Sequence, residues 1–200
     1  MFKVMSKKKF DPLLLILASG SPRRKDLLNQ AGLIFSVVPS SFDEQSVCIE
    51  SNEEFVKTLA EKKAADVSKK HSDKWVIGAD TIVTCKNKRL GKPKSKKDAR
   101  RMLKLLSGKM HHVITGYAVK CSDKNIMFSD TVTTKVYFKS LTDREIKWYI
   151  DTKEPFDKAG AYAIQGIGSR FVKTIYGSYT NVVGLPVYEV IEFLASKNVI

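Results

Sequence analysis

Apolar positions alternate along this chain between short continuous runs and helical periods, the pattern of strands interleaved with helices. Leu13 to Ala18 reads as a buried strand. Ser21 and Pro22 then offer an N-cap and an N1 proline for a helix ending near Gly32. Leu33 to Val38 predicts another strand, followed by a polar loop holding Asp43 and Glu44. Ser51 with Glu54 has capping-box spacing and opens a helix running to about His71. Trp75 to Cys85 is predicted as a strand. Ser95 and Asp98 stand at N-cap and N3 of the helix KKDARRMLKLL, which Gly108 can close in a left-handed conformation.

Two β-rich segments, Val113 to Lys120 and Ile126 to Phe138, flank the turn Ser122-Asp123-Lys124-Asn125 and predict a hairpin. Thr142 and Glu145 form another capping box before a helix to about Ile150. Pro186 opens a last amphipathic helix, Val187 to Ser196. Between these two helices the chain is Gly-rich and weakly periodic, and Lys86 to Lys97 reads as a mobile loop. A hairpin in the middle of an α/β alternation is incompatible with a purely parallel sheet, so the expected class is α/β with a mixed, twisted sheet and flanking helices. The 200 residues predict a basic N-terminal tail over residues 1–11 and one domain over 12–200.

Charge changes the picture more than composition does. The apolar and charged fractions, 43% and 28%, are those of an ordinary globular chain, and no run approaches the roughly 20 apolar residues that span a bilayer. Neither a membrane span nor a secretory signal is expected. Cys48, Cys85 and Cys121 have neither CxxC nor metal-ligand spacing, and their odd number argues for a reducing compartment, the cytoplasm. The net charge of +14 suggests a polyanionic partner, but lysines are spread along the whole chain. A nucleic-acid module would interleave basic residues with exposed aromatics. Here basic residues accompany an embedded acid, and no nucleic-acid partner is expected.

Ser19-Gly20-Ser21-Pro22-Arg23-Arg24 lies where a buried strand turns into a helix. Two arginines in a first helical turn oppose the helix dipole, which an anion at that end would offset. Hydroxyls, guanidiniums and free backbone N–H groups there make a phosphate site. It is not a P-loop, and Gly166-Ile167-Gly168 lacks the context of a dinucleotide fingerprint. Asp80, inside WVIGADTIV, is a carboxylate among apolar residues and requires a cation, donors or a metal. Lys63 and Lys92 are basic candidates that spacing alone does not separate from solvated lysines. His111 and His112 point to opposite faces of a strand, with no third ligand nearby. The segments Glu154 to Gly166 and Gly177 to Pro186 read as loops whose backbone approaches a ligand closely.

Together, ASGSPRRKDLL, LAEKKA, GADTIV, GKP, HHVITGYAV, EPFDKAGAYAIQG and GSYTNVVGLP resemble, in family order, the Maf family of nucleotide pyrophosphatases. The basic N-terminal extension and Met110-His111-His112 depart from the family pattern. The resemblance implies a fold similar to the inosine triphosphate pyrophosphatases, with two lobes around a cleft, a homodimer, and hydrolysis of nucleoside triphosphates dependent on Mg²⁺ or Mn²⁺. Asp80 matches the family's catalytic acidic residue; as general base, metal ligand or both, its role stays open. Glu44 matches a nearby acidic position, a second candidate metal ligand. Arg23, Thr81 and Gln165 match positions associated with substrate choice, and Ser19, Arg24, Lys63 and Lys92 match positions around the phosphates, where the helix-start reading also puts Ser21. IQG resembles the branch acting on dTTP and UTP. The rival reading is a nucleotide-sensing regulator of cell division with little turnover.

Overall fold

The computed structural model describes residues 14–86 and 88–200, so the expected tail over residues 1–11 lies outside the described residues. Seven strands form one mixed sheet: β1 (Leu15–Leu17), β2 (Ser36–Val37), β3 (Trp75–Cys85), β4 (Lys88–Leu90), β5 (Met110–Cys121), β6 (Ile126–Phe138) and β7 (Val172–Tyr176). Their order is β2-β1-β3-β5-β6-β7, with β4 also on β3. β1 runs parallel to β2 and β3, and the remaining pairs are antiparallel. The mixed α/β class is as the alternation of patterns predicts.

Among the described residues six α-helices flank the sheet: α1 (Pro22–Gln30), α2 (Asn52–Ser68), α3 (Lys96–Leu106), α4 (Asp143–Asp151), α5 (Tyr179–Val183) and α6 (Val187–Ser196). Strand alternation sorts the core. Leu15 and Leu17 join Ile77 and Ala79 beneath α1 and α6, while Ile16 and Ala18 turn to Ala60 and Ala64 of α2. Further along β3, Val83 and Cys85 belong to another cluster, with Leu103 and Leu106 of α3 and Ile146 and Tyr149 of α4. Two of these cores thus share one face of the sheet, and Thr81 lies between them on β3, after Ala79 of one and before Val83 of the other.

The close seat of α2 depends on two glycines. A Cβ on Gly78 would lie 2.2 Å from the Ala60 carbonyl oxygen, and one on Gly116 2.3 Å from the Val56 carbonyl. Gly116 stands opposite Asp80 in the β3–β5 register. The absent side chains let α2 lie almost on the sheet, beside the acid.

Three local expectations change. Ser51 accepts a hydrogen bond from the Glu54 N–H, but the Glu54 carboxylate turns to Lys57 at 2.9 Å instead of closing a capping box. The box at Thr142 and Glu145 is complete. Within the expected mobile loop Lys86 to Lys97, Lys88–Leu90 pairs with β3 and Leu90 is 1% exposed. One apolar residue beside two basic ones leaves no period to read, and the pairing comes from the neighbouring strand. β7 and α5 lie in the stretch that read as weakly periodic; each has only five residues.

His111 is fully buried, its Nε2 2.8 Å from the Tyr162 hydroxyl and its ring edge-on to Phe138. Burial, reinforced by His112, pushes its pKa down to about 3. Between the ordinary value of 6.5 and about 3 the unfolded chain binds more protons than the folded one. Stability is therefore full above the unfolded value and declines as pH falls toward the folded one. Urea unfolding at pH 7 and pH 5 should show a loss of roughly 2 kcal/mol from this group, shrinking in His111→Gln. An unchanged difference in the variant would assign the acid sensitivity elsewhere.

Candidate active site

On the outer edge of β3, β1 pairs only with residues 75–77 and β4 only with 83–85, so the stretch between has no strand partner on that side. α1 and α2, the helices that follow β1 and β2, pack on opposite faces of the sheet. The gap is thus a switch point at the carboxyl end of β1, where open α/β sheets bind ligands. A cleft of about 620 Å³ opens there, bringing together Ser19, Ser21, Arg23, Arg24, Glu44, Lys63, Asp80, Thr81, Lys92 and Gln165. Every expected site residue lines it.

Arg24 takes the place of the missing strand. Its Nη1 donates to the Ala79 carbonyl at 2.9 Å and to Ser19 Oγ at 3.0 Å, its Nε to the Gly184 carbonyl at 2.7 Å, and its Nη2 to Thr81 Oγ1 at 3.1 Å. Burial pulls the guanidinium below its ordinary pKa, opposed by the nearby Asp80. The sequence placed Arg24 at the phosphates. In the structure its donors go mostly to the protein, where they tie α1, β3 and the loop before α6 into one floor. Thr81 Oγ1 also meets Thr115 Oγ1 at 2.9 Å, so its hydroxyl belongs to the same network.

α1 begins at Pro22, with Ser21 as N-cap, and its side chain makes no capping bond. Helix geometry leaves the Arg23 and Arg24 N–H groups without intrahelical acceptors, and they point outward from the first turn. This end of the cleft suits an anion.

Asp80 faces α2, where Lys63 Nζ donates to its Oδ1 at 2.7 Å and reaches Glu44 Oε1 at 2.8 Å. The Lys63 and Asp80 side chains are 10% and 13% exposed, enough burial for each to need the other. Two carboxylates therefore converge on one cation-sized position, which the lysine ammonium fills. Hard oxygen donors of this kind fit Mg²⁺ or Mn²⁺ held by one or two carboxylates together with substrate phosphates. Among the described residues no group of three or more His, Cys, Asp or Glu side chains could hold a metal by itself.

Arg23 turns across the cleft. Its Nη1 meets Asp157 Oδ2 at 2.7 Å and its Nη2 the Asp157 carbonyl at 3.2 Å, joining α1 to the turn Glu154–Asp157. Burial works against the Asp157 carboxylate, but hydrogen bonds from Lys158 and Arg23 outweigh it and hold the pKa to about 2. Asp157 stands in a segment that the sequence marks as close to a ligand, yet its pairing with Arg23, 134 positions away, leaves no local signal. Lys92 is exposed on the cleft wall and forms no ion pair among the described residues. Gln165, half-buried, lines the cleft, and its side-chain amide has no hydrogen-bond partner among the described residues.

The family model described as Maf-like protein matches residues 14–197. A dTTP/UTP pyrophosphatase of Geotalea uraniireducens (strain Rf4) is 52% identical over 180 residues, 90% of this chain and 93% of its own. The dTTP/UTP pyrophosphatase of Desulfotalea psychrophila (strain LSv54 / DSM 12343) is 50% identical over 186 residues, covering 93% and 95%. That of Bacillus anthracis is 48% identical over 185 residues, covering 92% and 96%.

Proposed function

Because this chain belongs to the Maf-like protein family, we propose that it hydrolyses dTTP and UTP to the nucleoside monophosphate and pyrophosphate. The observation that carries this reading is Asp80, held by Lys63 in a basic cleft that also receives the N-terminus of α1. A triphosphate laid along the cleft meets Ser19, Ser21 and the free N–H groups of α1, with Lys92 on the wall. Arg23 exchanges Asp157 for a phosphate oxygen, since both are anionic oxygen acceptors for the same fork of donors. Asp80 then faces the α-phosphorus end of the chain.

Water attacks the α-phosphorus, the bond to the bridging oxygen breaks, pyrophosphate leaves, and Asp80 takes the proton that water gives up. Lys63 keeps the carboxylate oriented and positive charge beside it. Asp80 and Glu44 would hold a divalent cation, which supplies neutralisation of charge developing on the leaving pyrophosphate. The names of the relatives favour turnover over pure nucleotide sensing. The decisive experiment incubates the protein with dTTP, UTP, CTP, ATP and GTP plus Mg²⁺ or Mn²⁺ and identifies the products. Monophosphate and pyrophosphate from dTTP and UTP are expected; a preference for purines or CTP, or release of orthophosphate, overturns the proposal.

Gln165 reads the base. Its amide sets a donor beside an acceptor, complementary to the carbonyl and N3–H of uracil or thymine. With the amide held in that orientation, cytosine, lacking N3–H, leaves the glutamine carbonyl facing a lone pair at a cost of about 1 to 3 kcal/mol. Gln165→Ala should flatten the preference for dTTP over CTP more than it lowers kcat, as kcat/KM across the panel will show.

Our reading puts the enzyme in the cytoplasm, whose reducing environment suits its three free thiols, and takes it as a homodimer on the family resemblance alone. Among the described residues no helix is long and apolar enough to cross a membrane.

A further inference from the structure

The segment carrying Gln165 hangs on two side chains outside the cleft. Glu154 Oε2 accepts from the Ile167 N–H at 3.0 Å, and its Oε1 accepts from the Gly168 N–H at 2.9 Å and from the Tyr149 hydroxyl at 2.9 Å. The same hydroxyl accepts from the Ala163 N–H at 3.3 Å. Backbone donors two residues before Gln165 and two and three residues after it are thus fixed to one carboxylate and one phenol. Tyr149 is fully buried on α4, with its ring edge-on to Phe171.

The fit leaves no slack. A Cβ on Gly168 would lie 2.5 Å from the Tyr149 hydroxyl and 2.6 Å from the Ala163 carbonyl. Gly166 is left-handed at φ +73°, and a Cβ there would lie 2.9 Å from Glu154 Oε2. Glu154 is itself aimed by its surroundings: Lys153 turns the chain at φ +65°, and the Glu154 N–H donates to Thr152 Oγ1 at 3.2 Å. Between these anchors Gln165 carries the one polar side chain, which has no hydrogen-bond partner among the described residues, and the residue lines the cleft.

We propose that Glu154 and Tyr149 are positioning residues for base selection: they lock the 163–168 segment so that the Gln165 amide meets the pyrimidine edge in one orientation. The inference rests on the nucleotide-hydrolysing reading and deepens its account of specificity. A carboxylate suits the position because three donors converge on it and it offers only acceptors. A glutamine of equal length would place an NH₂ against one of those donors, releasing one anchor and widening the range of orientations open to Gln165.

The test measures kcat and KM for dTTP and CTP, with melting temperature, in wild type, Glu154→Gln, Tyr149→Phe and Gln165→Ala. Glu154→Gln should lower the dTTP-to-CTP ratio of kcat/KM roughly tenfold, with the KM for dTTP rising by more than kcat falls. Tyr149→Phe should move the ratio in the same direction by less. Should Glu154→Gln fail to fold, the milder Tyr149→Phe decides by the same ratio. A lower melting temperature with an unchanged ratio makes the pair merely structural and overturns the proposal. If the ratio falls in Gln165→Ala but not in the other two, base reading stands and the positioning proposal is overturned. If it falls in Glu154→Gln but not in Gln165→Ala, the pair positions the segment and Gln165 is not the reader. Absence of turnover of any nucleotide by the wild type would overturn the hydrolytic reading itself.

Discussion

Replacing Asp80 with asparagine should abolish nearly all turnover, by about 10² to 10⁴-fold in kcat, while the protein still folds. The exchange removes the proposed proton acceptor with little change of volume. Lys63 keeps Glu44 as a partner, and the amide oxygen of asparagine can still accept from it, so no buried charge is left alone. Burying an ion pair costs desolvation that its attraction only partly returns, and neutralising one member in place should move the melting temperature by a few degrees at most. Circular dichroism melts and single-turnover kinetics with dTTP check the two halves separately. Retention of more than about a tenth of wild-type kcat would remove Asp80 from the chemistry. A collapse of stability matching the loss of activity would make it a structural residue.

A Cβ at Gly78 or Gly116 should be nearly as damaging through a different route. The contacts it would make, 2.2 Å from the Ala60 carbonyl oxygen and 2.3 Å from the Val56 carbonyl, are with the backbone of α2, which cannot rotate away as a side chain can. α2 must lift from the sheet, opening Val56, Leu59, Ala60 and Ala64, all now fully buried. Overpacking of this kind costs about 1 to 3 kcal/mol and more where backbone must move, so Gly78→Ala and Gly116→Ala should each lose 3 kcal/mol or more in urea unfolding. Gly91→Ala, where nothing lies within 4 Å of the added carbon, is the stability control and should change little. Because Lys63 rides on α2, any folded Gly116→Ala protein should also hydrolyse dTTP more slowly than wild type. Full stability in both glycine variants would mean that the close seat of α2 does not depend on these glycines.

The two experiments probe one arrangement from opposite sides. Asp80 is an ionised acid with a cation held against it, and α2 brings that cation close because two strand residues have no side chains. The sequence GADTIV shows the acid and a glycine two positions before it, but not that this glycine and Gly116 admit a helix backbone.

What the sequence by itself determined is local in origin. Capping residues and apolar periods located α3, α4 and α6 within a residue or two, and the polar turn between β5 and β6 located the hairpin, because these signals act between residues a few positions apart. The ordered motifs likewise fixed the family and collected the residues that line the cleft. The tertiary structure alone decided which partners those residues have. β4 and β7 exist because neighbouring strands offer hydrogen bonds, not because Lys88–Leu90 or Val172–Tyr176 has a strong period of its own. Arg24 was legible as a cation at a helix start, but its role as a substitute for a missing strand depends on where β1 stops and β4 begins. The pairing of Arg23 with Asp157 and the anchoring of the Gln165 segment by Glu154 and Tyr149 join elements whose approach is set by packing of two cores on one sheet. Local propensity records what a residue can do; the packed sheet fixes which neighbour receives it.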